Sequence, residues 1–267
     1  MKTIILCGGT GTRMKEETEF KPKPLVEVGG KPILWHIMKI YAHYGYNDFI
    51  LALGYKGNMI KEYFLHWRTM LSDFSLDTKT GELIFHNNDC DDFKITFVET
   101  GPNSLTGERV RQLKKYVQDD EDFMVTYGDG VANINVADLV SCHKNNNTLG
   151  TITGAKPVSR LGMLSVDPNT NKLLKFTQHK VTSEQEGENE VDAHKDVING
   201  GFMVFKKEVL DLIEPGSMIE SMFPKLANDG QLSVYIHKGK WKCMDTYKEV
   251  EEMNEHWHKD PFWKIWK

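Results

Sequence analysis

The sequence predicts an α/β fold: a mixed, mainly parallel sheet flanked by helices, with small β excursions and a C-terminal helical and aromatic tail. Two observations support this. Short β-branched or apolar runs alternate with longer amphipathic stretches. The chain also has 267 residues, 40% of them hydrophobic, which is enough to form a large core without disulfides or metal ions. We therefore expect a single domain over residues 1–267.

The first half supplies alternating strands and helices. Strands are predicted at Thr3–Leu6, Phe49–Leu53, Lys94–Val98 and Phe123–Thr126. A helix is predicted from Pro32, which suits a first helical position, to Gly45, which suits a helix end. A second helix follows in NMIKEYFLHWRTML. The next stretch, LSDFSLDTKTGELIFHNN, predicts a small hairpin with Thr80 and Gly81 at its tip.

The pattern changes after Val136, where a helix to about Lys144 precedes several short strands. These strands are predicted at Thr151–Ala155, Leu164–Val166, Leu173–Phe176 and Gly201–Phe205, and we expect them to wrap on the first sheet. Residues 178–197 are polar and acidic and predict a loop. A charged helix and the aromatic segment PFWKIW follow. We therefore divide the domain into parts 1–135, 136–244 and 245–267.

Composition and charge exclude several classes of protein. A net charge of -5 argues against a nucleic-acid partner held by bulk electrostatics. No apolar run approaches the roughly 20 residues of a membrane span, and the first apolar stretch is too short for a signal peptide. We therefore expect a cytoplasmic protein without a membrane partner. The cysteines are far apart and form no CxxC pair, so neither a zinc site nor a disulfide framework is indicated.

The first strand leads into the glycine-rich segment CGGTGTRM. Glycines directly after a strand suit a phosphate cradle, because backbone N–H groups can approach an anion closely there. The segment begins like a dinucleotide fingerprint, but Met14 stands where that motif needs Gly or Ala, and no Walker A lysine follows. Met14 thus argues against a dinucleotide-dependent oxidoreductase. The alternative is an ordinary tight exit from the strand.

Basic residues near this loop favour a polyphosphate ligand. Arg13 lies within the loop, and Lys21 and Lys23 follow in the proline-punctuated KPKP segment. Because proline prevents a helix here, we expect an extended chain that directs both ammonium groups toward the glycines. The alternative interpretation is a solvated basic loop.

Two aspartates could complete the site. Asp129 follows an apolar strand in FMVTYGDG, at the sheet edge where α/β proteins bind ligands, and Asp245 lies in KCMDT. Paired carboxylates beside phosphates suit Mg²⁺, which fills its shell with phosphate oxygens and water. Either aspartate could instead cap a helix, Asp245 especially.

These motifs together resemble the sugar-phosphate nucleotidyltransferases. The resemblance rests on LCGGTGTRM, KPKPLVEVGGKPILWHIMK, GYKG with IKEYF, TYGDGVA, INGGF and MDT in this order, and it runs from Met1 to the aromatic tail. The second of these segments resembles the cytidylyl branch of the family. The resemblance implies a Rossmann-like nucleotidyltransferase fold, a nucleotide-binding half at 1–135 and an acceptor-binding half at 136–244.

The resemblance also implies roles for individual residues. Arg13 and Lys23 would be catalytic, and Asp129 and Asp245 would hold Mg²⁺. The implied nucleotide-binding residues are Leu6, Gly8, Gly9, Gly11, Thr12, Arg13, Lys23, Thr106, Gly107, Arg109, Gly128 and Asp129. The implied acceptor-binding residues are Gly162, Gln178, Lys180, Asn199 and Gly200.

The implied reaction transfers a cytidylyl group from CTP to a sugar 1-phosphate, with glucose 1-phosphate as the expected acceptor. This chain has Gln178-His179-Lys180 where relatives carry Glu-Lys-Pro, which leaves open another acceptor or a non-catalytic nucleotide-binding regulator. The glycine loop is shared with the thymidylyl, uridylyl and adenylyl relatives, which leaves open another nucleoside triphosphate. The family forms homo-oligomers. The aromatic tail could dock on its own chain or lie at a subunit interface, and the homo-oligomers of the family favour the interface.

Overall fold

The computed structural model describes residues 1–87, 90–156, 163–166, 173–177 and 197–267. Its strands are β1 (Thr3–Cys7), β2 (Glu27–Val28), β3 (Lys31–Pro32), β4 (Asp48–Leu53), β5 (Phe74–Leu76), β6 (Leu83–Phe85), β7 (Lys94–Glu99), β8 (Asp122–Tyr127), β9 (Gly130–Ala132), β10 (Gly150–Ala155), β11 (Met163–Val166), β12 (Leu173–Thr177), β13 (Ile198–Lys206), β14 (Leu232–His237) and β15 (Trp241–Cys243). Its α-helices are α1 (Lys15–Thr18), α2 (Ile33–His43), α3 (Gly57–Leu65), α4 (Trp67–Leu71), α5 (Thr106–Gln112), α6 (Lys114–Val117), α7 (Val136–Asn146), α8 (Phe223–Asn228) and α9 (Tyr247–Lys259).

Seven of these strands form one sheet in the order β14-β10-β13-β8-β1-β4-β7. Neighbouring strands from β8 to β7 are parallel, β10 and β14 are parallel, and β13 runs antiparallel to β8 and β10. The predicted mixed, mainly parallel sheet is confirmed. The later strands differ from expectation, because β10, β13 and β14 extend the first sheet rather than wrap on its face.

Both faces of the sheet are covered. Alternate side chains of β1 point to opposite faces, so Ile5 and Cys7 join one apolar cluster and Ile4 and Leu6 join the other. Helix α2, helix α9 and the C-terminal tail contribute to the first cluster, and α5 and α8 contribute to the second. Burial on both faces explains why the central strands β1 and β4 are almost continuously apolar.

The local predictions hold with small corrections. Pro32 caps α2 instead of lying in its first turn, and Gly45 adopts the positive φ of +82° that suits the helix end. The predicted second helix is two helices that meet at His66. Strands β5 and β6 form the predicted hairpin, with Gly81 at φ +77°. Among the described residues, no helix is both long and apolar enough to cross a membrane.

The aromatic tail packs on its own chain, which is one of its two expected positions, and a subunit interface at the tail stays a prediction. The Trp263 side chain is 0% exposed, and its indole Nε1 donates to Nδ1 of the buried His36 at 3.2 Å. Trp257, Trp263 and Trp266 surround the His36 ring. The tail therefore stabilises the subunit by filling the core beneath α2.

Replacing Trp263 with alanine should lower the free energy of unfolding by about 3–5 kcal/mol, because a large buried ring leaves a cavity. Urea unfolding measured by circular dichroism checks this. Lys264→Ala changes the exposed neighbour and should cost less than about 1 kcal/mol. Equal losses in the two variants would contradict the buried position of Trp263.

Candidate active site

A cleft of about 350 Å³ opens where β1 and β8 end. The lining residues are Leu6, Cys7, Gly8, Gly9, Gly11, Thr12, Arg13, Lys23, Pro24, Ser104, Leu105, Thr106, Arg109, Tyr127, Gly128, Asp129, Met218 and Asp245. Most of the predicted nucleotide-binding and metal-binding residues are in this set. The carboxyl edge of the parallel strands is where α/β sheets ordinarily bind ligands.

The glycine loop forms one wall of the cleft. It leaves β1 at Cys7 and turns at Gly11, whose φ of +64° favours glycine. The Thr18 hydroxyl donates to the Gly11 carbonyl at 3.1 Å and holds this turn. A short 3₁₀ helix then begins at Thr12 and buries Met14 in the core. Met14, which stands where the dinucleotide fingerprint needs Gly or Ala, thus anchors the loop to the core.

The KPKP segment brings Lys23 alone into the cleft. Pro22 is extended, but Lys23–Leu25 form a single 3₁₀ turn, which corrects the expectation of a fully extended segment. The Lys23 ammonium donates to Asp129 Oδ2 at 2.6 Å and to Asp245 Oδ1 at 2.8 Å. Lys21 instead lies 3.7 Å from the Glu17 carboxylate, one helical turn away, so the prediction that both lysines point into the site was wrong for Lys21.

A strand pair brings the two aspartates together. β9 pairs antiparallel with β15, with Gly130 opposite Cys243, and the Met244 N–H donates to the Asp129 carbonyl at 2.9 Å. Asp129 and Asp245 therefore flank the same end of this ladder. Helix α9 begins after Thr246, whose side chain and Glu249 form a capping box, so Thr246 and not Asp245 is the helix cap.

The cluster is charged and partly buried. Burial lowers the pKa of Lys23, but the Asp129 charge and the hydrogen bonds to both carboxylates outweigh burial and raise the pKa above its ordinary value. Burial raises the pKa of Asp245, yet the hydrogen bond and charge of Lys23 and the charge of Arg13 bring it below its ordinary value. Arg13 Nη1 lies 3.0 Å from Asp245 Oδ2, and its side chain is 73% exposed. At neutral pH the site thus presents charged lysine, arginine and carboxylate groups.

The same cluster can hold a divalent cation. Ligand atoms of Asp129, Cys243 and Asp245 all lie within 4.8 Å of one another. Burial and the Asp129 charge raise the pKa of the Cys243 thiol well above its ordinary value, so the thiol stays protonated. Asp129 and Asp245 offer hard carboxylate oxygens, which suit a hard cation that takes its remaining ligands from phosphate and water.

Arg109 is buried beneath the cleft, with 3% of its surface exposed. Its guanidinium donates to the carbonyls of Leu53 at 3.0 Å, Gly101 at 2.7 Å and Gly8 at 3.0 Å, and to the Thr100 hydroxyl at 2.7 Å. Most of its hydrogen bonds therefore go to backbone carbonyls at the ends of neighbouring strands, although it also lines the cleft.

The other predicted residues occupy varied positions. A Cβ at Gly128 would lie 2.9 Å from the Leu6 carbonyl oxygen, so a side chain there would separate β1 from β8. Thr106 lines the cleft, whereas Gly107 lies at the contact of α5 with Met218 and does not line it.

The two acceptor candidates at the start of β13, Asn199 and Gly200, lie outside the cleft lining. The Asn199 side chain accepts from the Gly201 N–H, and the Gly200 carbonyl accepts from the Trp241 indole N–H. Gly162, Gln178 and Lys180, like loop 178–197 apart from Val197, lie outside the described residues.

Sequence reasoning missed several lining residues, of which Tyr127 is the most informative. The Tyr127 hydroxyl donates to the Glu220 carboxylate, and a Cβ at Gly201 would lie 2.5 Å from the Tyr127 ring. Tyr127 stands inside the FMVTYGDG motif, so its place at a strand end was the available signal. Met218 lies in a loop and carried no signal. The other missed residues are Cys7, Pro24, Ser104 and Leu105.

The sequence profile described as nucleotidyl transferase matches residues 2–260. The chain belongs to this family. The Bacillus subtilis protein named "Probable glucose-1-phosphate cytidylyltransferase" is 45% identical to this nucleotidyl transferase, and the Salmonella typhi glucose-1-phosphate cytidylyltransferase is 39% identical. Each alignment covers 100% of both chains.

Two solved structures have the same fold as this nucleotidyl transferase. UTP-bound UGPase from Acinetobacter baumannii gives a TM-score of 0.69 at 15% identity, covering 98% of this chain and 95% of that one. HddC from Yersinia pseudotuberculosis gives a TM-score of 0.67 at 20% identity, covering 96% of this chain and 99% of that one. At these identities the likeness shows the fold alone, and the predicted nucleotidyltransferase architecture is confirmed.

Proposed function

We propose that this nucleotidyl transferase moves the cytidylyl group of CTP to a sugar 1-phosphate, with glucose 1-phosphate as the first candidate, and releases pyrophosphate. The observation that carries the proposal is the cleft that joins the glycine loop, Lys23 and two carboxylates. The full-length similarity to glucose-1-phosphate cytidylyltransferases supports the choice of CTP and of this acceptor.

The proposed reaction is an attack by one anion on another. A phosphate oxygen of the sugar 1-phosphate attacks the α-phosphorus of CTP, the bond from that phosphorus to the bridging oxygen breaks, and pyrophosphate leaves with the electron pair. The attacking phosphate is already ionised at neutral pH, so no strong general base is needed. Lys23 and Arg13 offset the repulsion between the reactants, and the glycine loop orients the triphosphate.

We further propose that Asp129 and Asp245 hold Mg²⁺. When bound, this ion would neutralise phosphate charge and draw the reacting phosphates together. The close carboxylate oxygens of Asp129 and Asp245 support a hard cation at this position. Removing divalent cations with EDTA should abolish pyrophosphate release, and adding Mg²⁺ back should restore it.

A pyrophosphate-release assay with ATP, CTP, GTP, UTP and dTTP against a panel of sugar 1-phosphates tests the assignment. We expect the largest kcat/KM with CTP and glucose 1-phosphate. Faster release with another acceptor would reassign the substrate and would point to Gln178 and Lys180 as the reason. Binding of CTP without release with any acceptor would favour a regulatory nucleotide-binding protein. The cytoplasmic location and the homo-oligomeric state stay predictions.

A further inference from the structure

Arg109 joins segments that are far apart in the sequence. Nη1 donates to the Leu53 carbonyl at the end of β4 and to Thr100 and Gly101 after β7. Nη2 donates to the Gly8 carbonyl after β1 at 3.0 Å. One side chain thus holds the carboxyl ends of three neighbouring parallel strands of the sheet.

The glycines around the guanidinium are a second observation. A Cβ at Gly8 would overlap the Arg109 guanidinium, and the nearest atoms to it all belong to Arg109. A Cβ at Gly54 would lie 2.6 Å from Arg109 Nη1 and 2.8 Å from the Gly8 carbonyl oxygen. The two glycine positions leave the space that the guanidinium fills, so loop and side chain have complementary shapes.

Among the described residues, no carboxylate pairs with the buried charge of Arg109. Its hydrogen-bond partners in that part of the chain are neutral: the carbonyls of Gly8, Leu53, Gly101 and Pro102, and the Thr100 hydroxyl. Burying an unpaired charge is costly, and hydrogen bonds to well-placed acceptors offset part of that cost. Those carbonyls are therefore held at fixed positions relative to one another.

We propose that Arg109 is a positioning residue that ties the glycine loop to the ends of β4 and β7 and so sets the shape of the nucleotide cleft before any nucleotide binds. The part of this inference that concerns CTP rests on the proposed function. Arg109 then affects triphosphate binding through the Gly8 backbone. A direct ligand of the nucleotide would act through its own contact with the bound molecule.

Hydrogen exchange of the nucleotide-free protein separates these two roles. In Arg109→Met and in Arg109→Lys, whose single ammonium cannot bond to all five acceptors, amide exchange should rise at least tenfold. The rise should occur in peptides that cover residues 5–14 and 53–58, where the Tyr55 N–H donates to the Gly8 carbonyl. Arg111→Met is the matched control, because Arg111 lies on the same helix and pairs with Glu108 at the surface. Unchanged exchange in Arg109→Met, together with weaker CTP binding, would overturn the proposal.

Kinetics give a readout that simple loss of folded protein does not produce. We expect the KM for CTP to rise at least tenfold in Arg109→Lys while kcat falls less than threefold. A fall in kcat at unchanged KM would mean a merely structural role and would contradict the proposal. If CTP is not the substrate, the kinetic arm fails for wild type and variant alike, whereas the exchange result is unaffected.

A double-mutant cycle tests the link between Gly8 and Arg109 independently of exchange and kinetics. Gly8→Ala should clash with the guanidinium and lower the melting temperature, and Arg109→Ala should lower it separately. If a Cβ at Gly8 and the Arg109 guanidinium compete for the same space, the melting temperature of the double variant should fall clearly less than the sum of the two single falls. Additive losses would contradict the proposed link between Gly8 and Arg109.

Discussion

Replacing Lys23 with methionine is expected to lower kcat for pyrophosphate release by about 100- to 1000-fold, while the protein remains folded. The variant keeps the length of the side chain but removes the charge that lies 2.6 Å from Asp129 and 2.8 Å from Asp245. In other enzymes, removing one preorganised hydrogen-bond donor from the place where charge develops in the transition state lowers kcat by a similar factor. Steady-state kinetics with CTP and glucose 1-phosphate, with circular dichroism to verify folding, check the result.

Lys21 provides the matched control for this prediction. It lies in the same KPKP segment but pairs with Glu17 outside the cleft, so Lys21→Met should change kcat less than about threefold. Turnover by Lys23→Met within threefold of the wild type would remove Lys23 from the proposed mechanism. Equal losses of kcat in both variants would indicate that the two lysines contribute only to the overall positive charge of the segment.

Lowering the pH from 6.5 to 4 is expected to remove about 3 kcal/mol of stability through His36 alone. Burial holds the pKa of His36 at about 4, below its ordinary 6.5. Trp263 donates to Nδ1, so Nε2 carries the proton and donates to the Val28 carbonyl at 2.8 Å, which fixes the neutral form. Below pH 6.5 the unfolded chain takes up a proton that the native protein does not, so stability falls until pH 4. Urea unfolding at several pH values measures this.

His36→Gln isolates the contribution of this histidine, because its amide can imitate both hydrogen bonds but does not titrate. Between pH 6.5 and pH 4, the free energy of unfolding of His36→Gln should therefore fall by about 3 kcal/mol less than that of the wild type. Parallel pH curves for wild type and His36→Gln would show that His36 is not held neutral by burial.

Local sequence signals predicted the sheet and the glycine loop because these features depend on near neighbours. The apolar run of β1 and the glycines after it specify a strand and its exit. The pairing of Asp129 with Asp245 could be expected only from chemistry or family resemblance, because it depends on the ladder between β9 and β15. Neither strand exceeds three residues, and so short a segment carries no reliable periodicity.

Long-range packing accounts for most of what the sequence did not predict. Nothing local distinguishes Lys21 from Lys23, and the tight turn after Pro22 decides which ammonium faces the carboxylates. Aromatic residues at a tail suit an interface as well as a core, and the burial of Trp263 against His36 depends on packing that no local pattern predicts. Arg109 resembles a ligand-binding arginine in sequence, yet four of its five hydrogen-bond acceptors are backbone carbonyls.

The ladder between β9 and β15 has a consequence for folding. Lys23 and Asp245 are separated by 222 positions, so their contact forms only after a very long chain segment has closed. Contacts of this range are entropically costly and tend to form late. Local opening of β15 or α9 would separate Asp245 from Lys23 while β1, β4 and β8 remain paired. As denaturant increases, enzymatic competence should therefore vanish before the sheet itself melts.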